Sequence, residues 1–219
     1  MSKLSQLFEL RQAQTQEDRM WLLELAQDLA EVTVAPLRGL WGEQARAFAK
    51  ASILELFSYE ASKQWRYYLA IDRATEQRVG YLILNMDHEC PFDRRETYIE
   101  DMGVVSEYLG KRVGHFLTDE AARISGEAGV PYLGAHISFT NRRALLAALG
   151  NGFELESYRI VRPCTPEAIA TVKASEGALE RQAQLEKTRK AVLSRKIKRR
   201  QRSAARAARR GGDVTESTE

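Results

Sequence analysis

Apolar residues recur at spacings of three and four positions in several segments of the chain, which is the period of a helix with one buried face. The first of these segments follows Thr15 and Asp18, a pair in which the threonine can cap a helix and the carboxylate can bond back to the cap. The last begins at Asn141 and is followed by glycines that favour helix termination. The predicted helices cover residues 15–29, 45–57, 113–128 and 141–149.

Segments rich in β-branched and aromatic residues lie before, between and after these helices and predict strands. Two of them, Trp65–Asp72 and Arg78–Met86, are joined by a short, mainly polar connection, which predicts a hairpin. The order along the chain is a strand, two helices, three strands, a helix, a strand, a helix and a last strand. The other predicted strands are Leu7–Arg11, Thr97–Val105, Tyr132–Phe139 and Phe153–Val161.

Charge divides the chain into a mildly acidic body and a strongly basic arm. The 219 residues carry a net charge of +3, but residues 187–210 contain twelve Lys or Arg and no acid. The first 186 residues therefore hold 21 basic and 27 acidic side chains, a net charge of −6. We predict a globular domain over residues 1–163 and a basic extension, helical or partly disordered, over residues 164–219.

Composition and short-range pattern exclude several classes of protein. Hydrophobic residues make up 44% of the chain, enough for a sizeable core. The longest apolar run, Val79–Leu84, is far shorter than the roughly 18 residues that span a membrane, and the N-terminus has no signal-peptide core. Two cysteines cannot build a disulfide framework, and His88, Glu89 and Cys90 in one short segment cannot fill a metal's coordination shell. We expect a cytoplasmic protein with no metal and no membrane contact.

The most informative segment is Tyr98–Leu117, where a predicted strand enters a glycine-containing turn and a helix begins directly behind it. Such a turn directs free backbone N–H groups and the positive end of a helix dipole at one place, which suits a pyrophosphate. Gly110 and Gly114 allow the backbone to approach a ligand without an intervening Cβ. Lys111 and Arg112 add positive charge at the same place.

Two motifs around this turn and the following helix resemble those of the GNAT superfamily of acyl-CoA-dependent N-acyltransferases. The family's first motif has the approximate form V-x-P-E-Y-[RQ]-G-x-G-x-G, and its second has the form N-x-x-A-x-x-x-Y-x-x-x-G-F. The order of elements over residues 7–161, about 70% of the chain, is also that of the family. The resemblance implies an α+β fold, a mixed and mostly antiparallel sheet flanked by helices. The matching residues are Val104, Glu107, Tyr108, Gly110 and Gly114 in the first motif and Asn141, Ala144, Gly152 and Phe153 in the second.

The same resemblance implies that acetyl-CoA is the co-substrate and that its site surrounds the glycine turn. The turn would bind the pyrophosphate, Asn141 would support the pantetheine arm, and the backbone N–H of Val104 would polarise the thioester carbonyl. The implied cofactor-binding residues are Val104, Val105, Leu109, Gly110, Lys111, Arg112, Val113, Gly114 and Asn141.

In the family, an amine attacks the thioester directly and a carboxylate, often through water, removes its proton. The resemblance favours Glu100 as this general base, with Asp101 as its main rival and a solvated or salt-bridged carboxylate as the non-catalytic interpretation. Strict alternation along the strand predicts two opposite faces. They consist of Tyr98, Glu100, Met102 and Val104 on one side and Ile99, Asp101, Gly103 and Val105 on the other.

Three positions depart from the family pattern. Leu109 stands where Arg or Gln is usual and Arg112 where Gly is usual, although the N–H of Arg112 can still face phosphate if its side chain points away. Ala148 replaces the tyrosine that often protonates the leaving CoA thiolate, so water, Tyr132 or Tyr158 would have to do so. We predict an N-acetyltransferase acting on a primary amine. The alternative is a catalytically weak CoA-binding module that the arm tethers to nucleic acid.

The two parts of the chain favour different partners. The acidic body favours a cationic acceptor, either a small molecule or a peptide. The arm is typical of a segment that contacts nucleic acid or the ribosome, and without aromatic residues in 187–210 its contacts would go to phosphates regardless of base sequence. A solvated tail and a helix that pairs with a protein partner are the alternatives. The sequence leaves open which amine is the acceptor, the acyl length and the oligomeric state.

Overall fold

The computed structural model describes residues 3–30, 40, 42–59, 64–90, 94–138, 141–156, 164–167 and 170. Strands and helices follow one another in the predicted order up to residue 150. The strands are β1 (Phe8–Gln12), β2 (Trp65–Asp72), β3 (Arg78–Cys90), β4 (Arg94–Val104) and β5 (Leu133–Ala135). The helices are α1 (Gln16–Asp28), α2 (Gly42–Ser58), α3 (Val113–Glu127) and α4 (Arg142–Gly150), with a short 3-10 turn at Ser106–Tyr108.

The strands form one sheet in the spatial order β1-β2-β3-β4-β5. Neighbouring strands from β1 to β4 are antiparallel, whereas β5 runs parallel to β4. This is the mixed, mostly antiparallel sheet of an α+β fold that the family resemblance implies. The parallel pair requires a crossover, and α3 supplies it between β4 and β5.

Each face of the sheet carries its own hydrophobic core, because strand side chains point alternately to the two faces. Helix α3 packs on one face through Phe116 and Leu117, which lie against Leu82 and Leu84 of β3. The other face belongs to the core that contains α1 and α2. Its members include Leu22, Leu23, Ala26, Ile53, Leu69, Tyr81 and Ile83.

The start of α1 is anchored to two strands through Asp18, whose side chain is almost completely buried. Thr15 and Asp18 form the predicted capping box. Asp18 Oδ1 also lies 2.8 Å from Arg11 Nη2 on β1 and 3.1 Å from Arg78 Nη2 on β3. Burial by itself would raise the pKa of Asp18, but the hydrogen bonds with Thr15 and the two guanidinium groups outweigh it and lower that pKa. The ionised carboxylate therefore fixes α1 against the sheet.

Several strand boundaries differ from the prediction. The β3–β4 hairpin continues past Met86, with His88 opposite Glu96 and Cys90 opposite Arg94. Here backbone pairing outlasts the hydrophobic pattern, so apolar alternation alone ends the strand too early. The fifth strand is shorter than predicted: it has three residues, all paired with β4, and ends at Ala135.

Other predictions fall partly or wholly on residues outside the described ranges. Residues 153–156 form no strand, and residues 157–161 of the predicted last strand lie outside the described part of the chain. The same holds for Phe139 and for the basic arm, so the predicted division at residue 163 stays a prediction. Among the residues that are described, no helix is long and apolar enough to cross a bilayer.

Candidate active site

The sheet opens between β4 and β5. Only Thr97, Tyr98 and Ile99 of β4 pair with β5, opposite Leu133, Gly134 and Ala135, yet β4 continues to Val104. Within the described part of the chain, the β4 edge from Glu100 to Val104 therefore has no neighbouring strand on that side. Backbone polar groups at this edge are available to a ligand that enters the gap.

The direction of the backbone bonds identifies which donor faces the gap. The N–H of Val105 donates to the carbonyl of Val79 on β3, at 3.1 Å. Successive residues of an antiparallel ladder point their N–H groups to opposite sides, so the N–H groups of Val104 and Met102 point toward the gap. The Met102 N–H donates to Asp101 Oδ1 at 2.8 Å, which leaves the N–H of Val104 for a ligand.

Beyond β4, residues 109–114 form a turn that we call the glycine loop, and it leads directly into α3. Gly110 has a φ of +86°. The N–H groups of Gly110, Arg112, Val113 and Gly114 donate no hydrogen bond to another described residue. These free donors lie at the start of a 15-residue helix, where the dipole favours an anion.

Two glycines of this loop occupy open space. A Cβ built at Gly110 or at Gly114 would meet no protein atom within 4 Å. Gly114 lies in the first turn of α3 and has no positive φ, so neither backbone conformation nor packing against the described residues requires glycine there. A ligand that approaches the backbone closely provides the missing reason, and the residues present therefore fit a CoA pyrophosphate.

The charged residues of the loop are arranged less directly. The Lys111 ammonium lies 4.1 Å from the centre of the Tyr108 ring, a cation–π contact, so it would have to swing away to meet a phosphate. Leu109 and Arg112 are exposed. Val105 and Val113 pack into the two cores. The N–H of Val105 donates to Val79 and its carbonyl accepts from Tyr108, so of these two residues only Val113 has a backbone N–H beside the loop that is free within the described chain.

Asn141 lies at the start of α4, where its Oδ1 accepts a hydrogen bond from the N–H of Ala144 at 3.1 Å. This capping bond accounts for asparagine at this position without any ligand. Its side-chain N–H₂ group can still donate to a pantetheine amide.

A β-bulge in β4 overturns the predicted alternation of faces. Ile83 pairs with Asp101 but Leu84 pairs with Ile99, so Glu100 is an extra residue without a partner on β3. The bulge moves Asp101 to the same face as Tyr98 and leaves Met102 on the other face, against the α3 core. The prediction that Tyr98 shares a face with Met102 and Val104 is therefore wrong, because the bulge inserts one residue into the alternation.

The two candidate bases, Glu100 and Asp101, differ in their hydrogen bonding. Asp101 is partly buried and both of its oxygens are engaged, one by the Tyr81 hydroxyl and the other by the Met102 N–H, each at 2.8 Å. Glu100 accepts no hydrogen bond from any described residue. Burial raises the pKa of Glu100, the charge of His88 opposes this shift, and the charge of Asp101 adds to it. Glu100 is the carboxylate that is free to accept a proton.

The face beside Glu100 carries three further polar side chains that the sequence analysis did not assign to the site. His88 stacks on Tyr98 with 4.2 Å between ring centres, and its Nε2 lies 3.8 Å from Glu96 Oε1. Burial, together with the charges of Glu100 and Glu96, raises the pKa of Tyr98 to about 12. Burial also raises the pKa of Glu96. Extending the strand alternation through the polar end of the β3–β4 hairpin would have placed these residues together.

A model of the acetyltransferase (GNAT) family matches residues 27–153, which is more than half of the chain. The chain belongs to the GNAT acetyltransferase family. It is therefore an acyltransferase, and the predicted family resemblance is confirmed. The fold and the family both indicate CoA or acetyl-CoA as the co-substrate. Within the described residues, no group of three or more His, Cys, Asp or Glu side chains is arranged to hold a metal ion.

Solved structures share this GNAT fold at low sequence identity. YycN, a candidate acetyltransferase from Bacillus subtilis, is 20% identical, with a TM-score of 0.59 over 72% of this chain and 99% of its own. An acetyltransferase candidate from Pyrococcus furiosus is 16% identical, with a TM-score of 0.57 over 72% and 99%. AAC(6')-Iy, solved with the bisubstrate analogue CoA-S-monomethyl-acetylneamine, is 15% identical, with a TM-score of 0.52 over 72% and 97%. No curated protein matches the chain.

Two departures from the GNAT motifs now have a structural description. Arg112 adopts a φ of +69° and a ψ of 16°, the left-handed conformation in which glycine is unstrained. Glycine, the residue usual in the family at this position, would adopt this conformation without strain. Ala148, at the position of the usual tyrosine, is buried in α4, and Tyr132, one proposed substitute, is half exposed before β5.

Replacing Arg112 by glycine should stabilise the domain. A non-glycine residue in the left-handed region costs roughly 1–2 kcal/mol, and the greater freedom of glycine in the unfolded chain offsets part of the gain. We expect the free energy of unfolding in urea to rise by about 0.5–1 kcal/mol. The Arg112→Ala variant is the control, because alanine keeps the strain while removing the charge. Equal gains in both variants would attribute the effect to charge instead.

Proposed function

We propose that this GNAT enzyme is an acetyl-CoA-dependent N-acetyltransferase in which a primary amine attacks the thioester directly. The observation that carries the proposal is the arrangement along one strand. The free carboxylate of Glu100, the free N–H of Val104 and the glycine loop follow one another beside the gap between β4 and β5. A base, an oxyanion donor and a pyrophosphate site are the three elements that this reaction needs.

The chain's own residues would hold the co-substrate as follows. The N–H groups of the glycine loop and the start of α3 would bind the pyrophosphate, and the amide of Asn141 would support the pantetheine arm. The Val104 N–H would donate to the thioester oxygen as negative charge develops on it. When bound, acetyl-CoA supplies the carbonyl carbon that the amine attacks.

Glu100 serves as the general base in this proposal. As the amine nitrogen bonds to the carbonyl carbon, the carbon–sulfur bond breaks and CoA leaves as a thiolate. The proton that the amine loses passes to Glu100, directly or through one water molecule. The raised pKa of Glu100 improves its match to an ammonium substrate, since a base acts best when its pKa lies near the working pH.

The acceptor would be a cationic amine, either a small molecule or a peptide. The first 186 residues carry a net charge of −6, and Glu96 and Asp101 add acidic groups near Glu100. A positively charged substrate would be attracted to this face of the sheet. A catalytically weak CoA-binding module is the second candidate, and the specific observation in its favour is Ala148 at the position of the usual thiolate-protonating tyrosine.

The CoA site can be tested with two glycines of one helix. Gly114 and Gly126 both lie in α3, and a Cβ at either would meet no protein atom within 4 Å. Gly114→Leu should therefore fold normally but fill the space of the pyrophosphate and weaken CoA binding more than about tenfold, measured by calorimetric titration. Gly126→Leu, near the far end of the same helix, should leave the affinity unchanged. Equal affinities in the two variants would remove the glycine loop from the site.

The role of Glu100 can be tested by its neutral isostere. Glu100→Gln should lower kcat about 10²- to 10⁴-fold while leaving CoA affinity unchanged, since only proton removal is lost. Activity of the unaltered enzyme should fall as the pH drops through the pKa of Glu100, and this acid limb should lie above the usual glutamate range. The control is Glu89→Gln, an exposed carboxylate on the neighbouring strand. An unchanged rate in Glu100→Gln with a cationic amine would exclude Glu100 as the base.

We propose further that the basic arm, residues 187–210, binds the phosphate backbone of nucleic acid, including that of ribosomal RNA. Twelve positive charges without an acid or an aromatic residue support binding to phosphates rather than to bases. Such binding weakens steeply with salt, because each neutralised phosphate releases counterions.

Deleting residues 187–219 should abolish retention on a nucleic-acid column at low salt, and the intact chain should elute as the salt concentration rises. Deleting only residues 211–219 is the matched control, because that segment contains three acids and no base. The control should be retained at least as strongly as the intact chain. If the fragment of residues 1–186 is still retained, nucleic-acid binding lies outside the arm and this proposal is wrong.

A further inference from the structure

Tyr108 joins the glycine loop to a turn on another part of the sheet. The residue is 9% exposed and belongs to the α3 core, and its hydroxyl reaches Asp72 at the end of β2. The hydroxyl donates a hydrogen bond to Asp72 Oδ2 at 2.7 Å and lies 3.5 Å from Thr75 Oγ1. Asp72 is the last residue of β2, so the bond spans from the end of β4 to the β2–β3 turn.

The β2–β3 turn is itself held by several bonds, and Asp72 makes most of them. Asp72 Oδ1 accepts from the N–H of Ala74 at 2.8 Å. The Asp72 carbonyl accepts from the N–H of Glu76 at 2.7 Å, and its own N–H donates to Gln77 at 2.9 Å. Arg73 then ties the turn to β1 through Glu9, with 3.0 Å between Nη1 and Oε2. Tyr108 is thus attached to a rigid partner.

On the other side, Tyr108 organises the first half of the glycine loop. Its carbonyl accepts a hydrogen bond from the N–H of Lys111 at 3.1 Å, and its ring lies under the Lys111 ammonium. Arg112, the next residue, has the strained φ of +69°. A strained backbone persists only where the surrounding structure fixes it, and the bonds through Tyr108 are the nearest such restraint toward the N-terminus.

We propose that Tyr108 and Asp72 are positioning residues whose hydrogen bond holds the glycine loop in the conformation that binds acyl-CoA. The inference rests on the proposed function for its ligand but concerns residues that do not themselves contact the reacting atoms. Without this bond, a smaller fraction of the molecules has the loop in its binding conformation. The apparent affinity for CoA falls in proportion to that fraction. Glu100 and Val104 lie on β4, before the loop, so the chemical step is not affected.

The bond also has a signature that does not depend on a ligand. The hydrogen bond from Tyr108 is the main reason that the pKa of Asp72 lies below its ordinary value, with the Ala74 N–H contributing next. Removing the tyrosine hydroxyl should therefore raise the pKa of Asp72. A purely packing role for Tyr108 would leave that pKa unchanged, because phenylalanine fills the same space.

The test compares Tyr108→Phe with Tyr67→Phe in the full chain. Tyr67 is a matched control, because it is a buried tyrosine whose hydroxyl donates to the carbonyl of Leu56 at 2.6 Å, on the opposite face of the sheet. In Tyr108→Phe, the Kd for CoA should rise about two- to tenfold, as for one hydrogen bond of ordinary net strength. The amides of Leu109 and Lys111 should exchange with solvent faster without CoA. Asp72→Asn, which can still accept the bond, should lose less affinity than Asp72→Ala.

The outcomes separate the two proposals. If Tyr108→Phe and Tyr67→Phe bind CoA equally, and loop exchange and the pKa of Asp72 are unchanged, the positioning role is wrong. If the unaltered chain binds no CoA, the proposed function fails and the ligand part of this inference falls with it. Amide exchange and the Asp72 titration then still decide whether the hydroxyl holds the loop.

Discussion

The arrangement of the whole site depends on where β5 stops pairing with β4. Three residue pairs hold the two strands together, and the five residues from Glu100 to Val104 then run on without β5. A continuous parallel pair would have used the backbone donors of β4 within the sheet. Because the pairing ends early, one edge of a well-packed strand has no neighbouring strand among the described residues, while β3 pairs with the same strand on its other side. Pairing with β3 thus positions β4, while its other edge would give a ligand access to the backbone of β4.

The bulge at Glu100 and the divergence of β5 occur next to each other on β4. The bulge leaves Glu100 without a partner on β3 and the divergence leaves it without a partner on β5. The Glu100 carboxylate accepts no hydrogen bond within the described chain, and partial desolvation raises its pKa, so it can take a proton. Asp101, one residue later, accepts a hydrogen bond from the Tyr81 hydroxyl, which links β4 to β3. Within the described residues, these two adjacent acids thus differ in their bonding, because only Asp101 accepts hydrogen bonds.

Departures from the family pattern become interpretable once the backbone is known. Arg112 occupies a left-handed position, so its side chain adds strain to the glycine loop, and the neighbouring Tyr108 is hydrogen-bonded to Asp72. Ala148 is buried in α4 and offers no proton to a leaving thiolate. The proposed mechanism consequently relies on backbone groups and on Glu100 and not on a second acid from α4.

Local pattern determined the helices, the hairpin and the glycine loop from the sequence. Thr15 and Asp18 define a helix start through bonds over three residues, and Gly110 marks a turn by its positive φ. The pairing of motifs around this turn was also enough to identify the family. Only the tertiary structure decided which of the two acids accepts hydrogen bonds from described residues, where β5 stops pairing with β4, and that Tyr108 bonds to Asp72. Those answers depend on contacts between residues far apart in the chain, such as Leu84 with Ile99 or Asp72 with Tyr108, and on one inserted residue that reverses the alternation of β4.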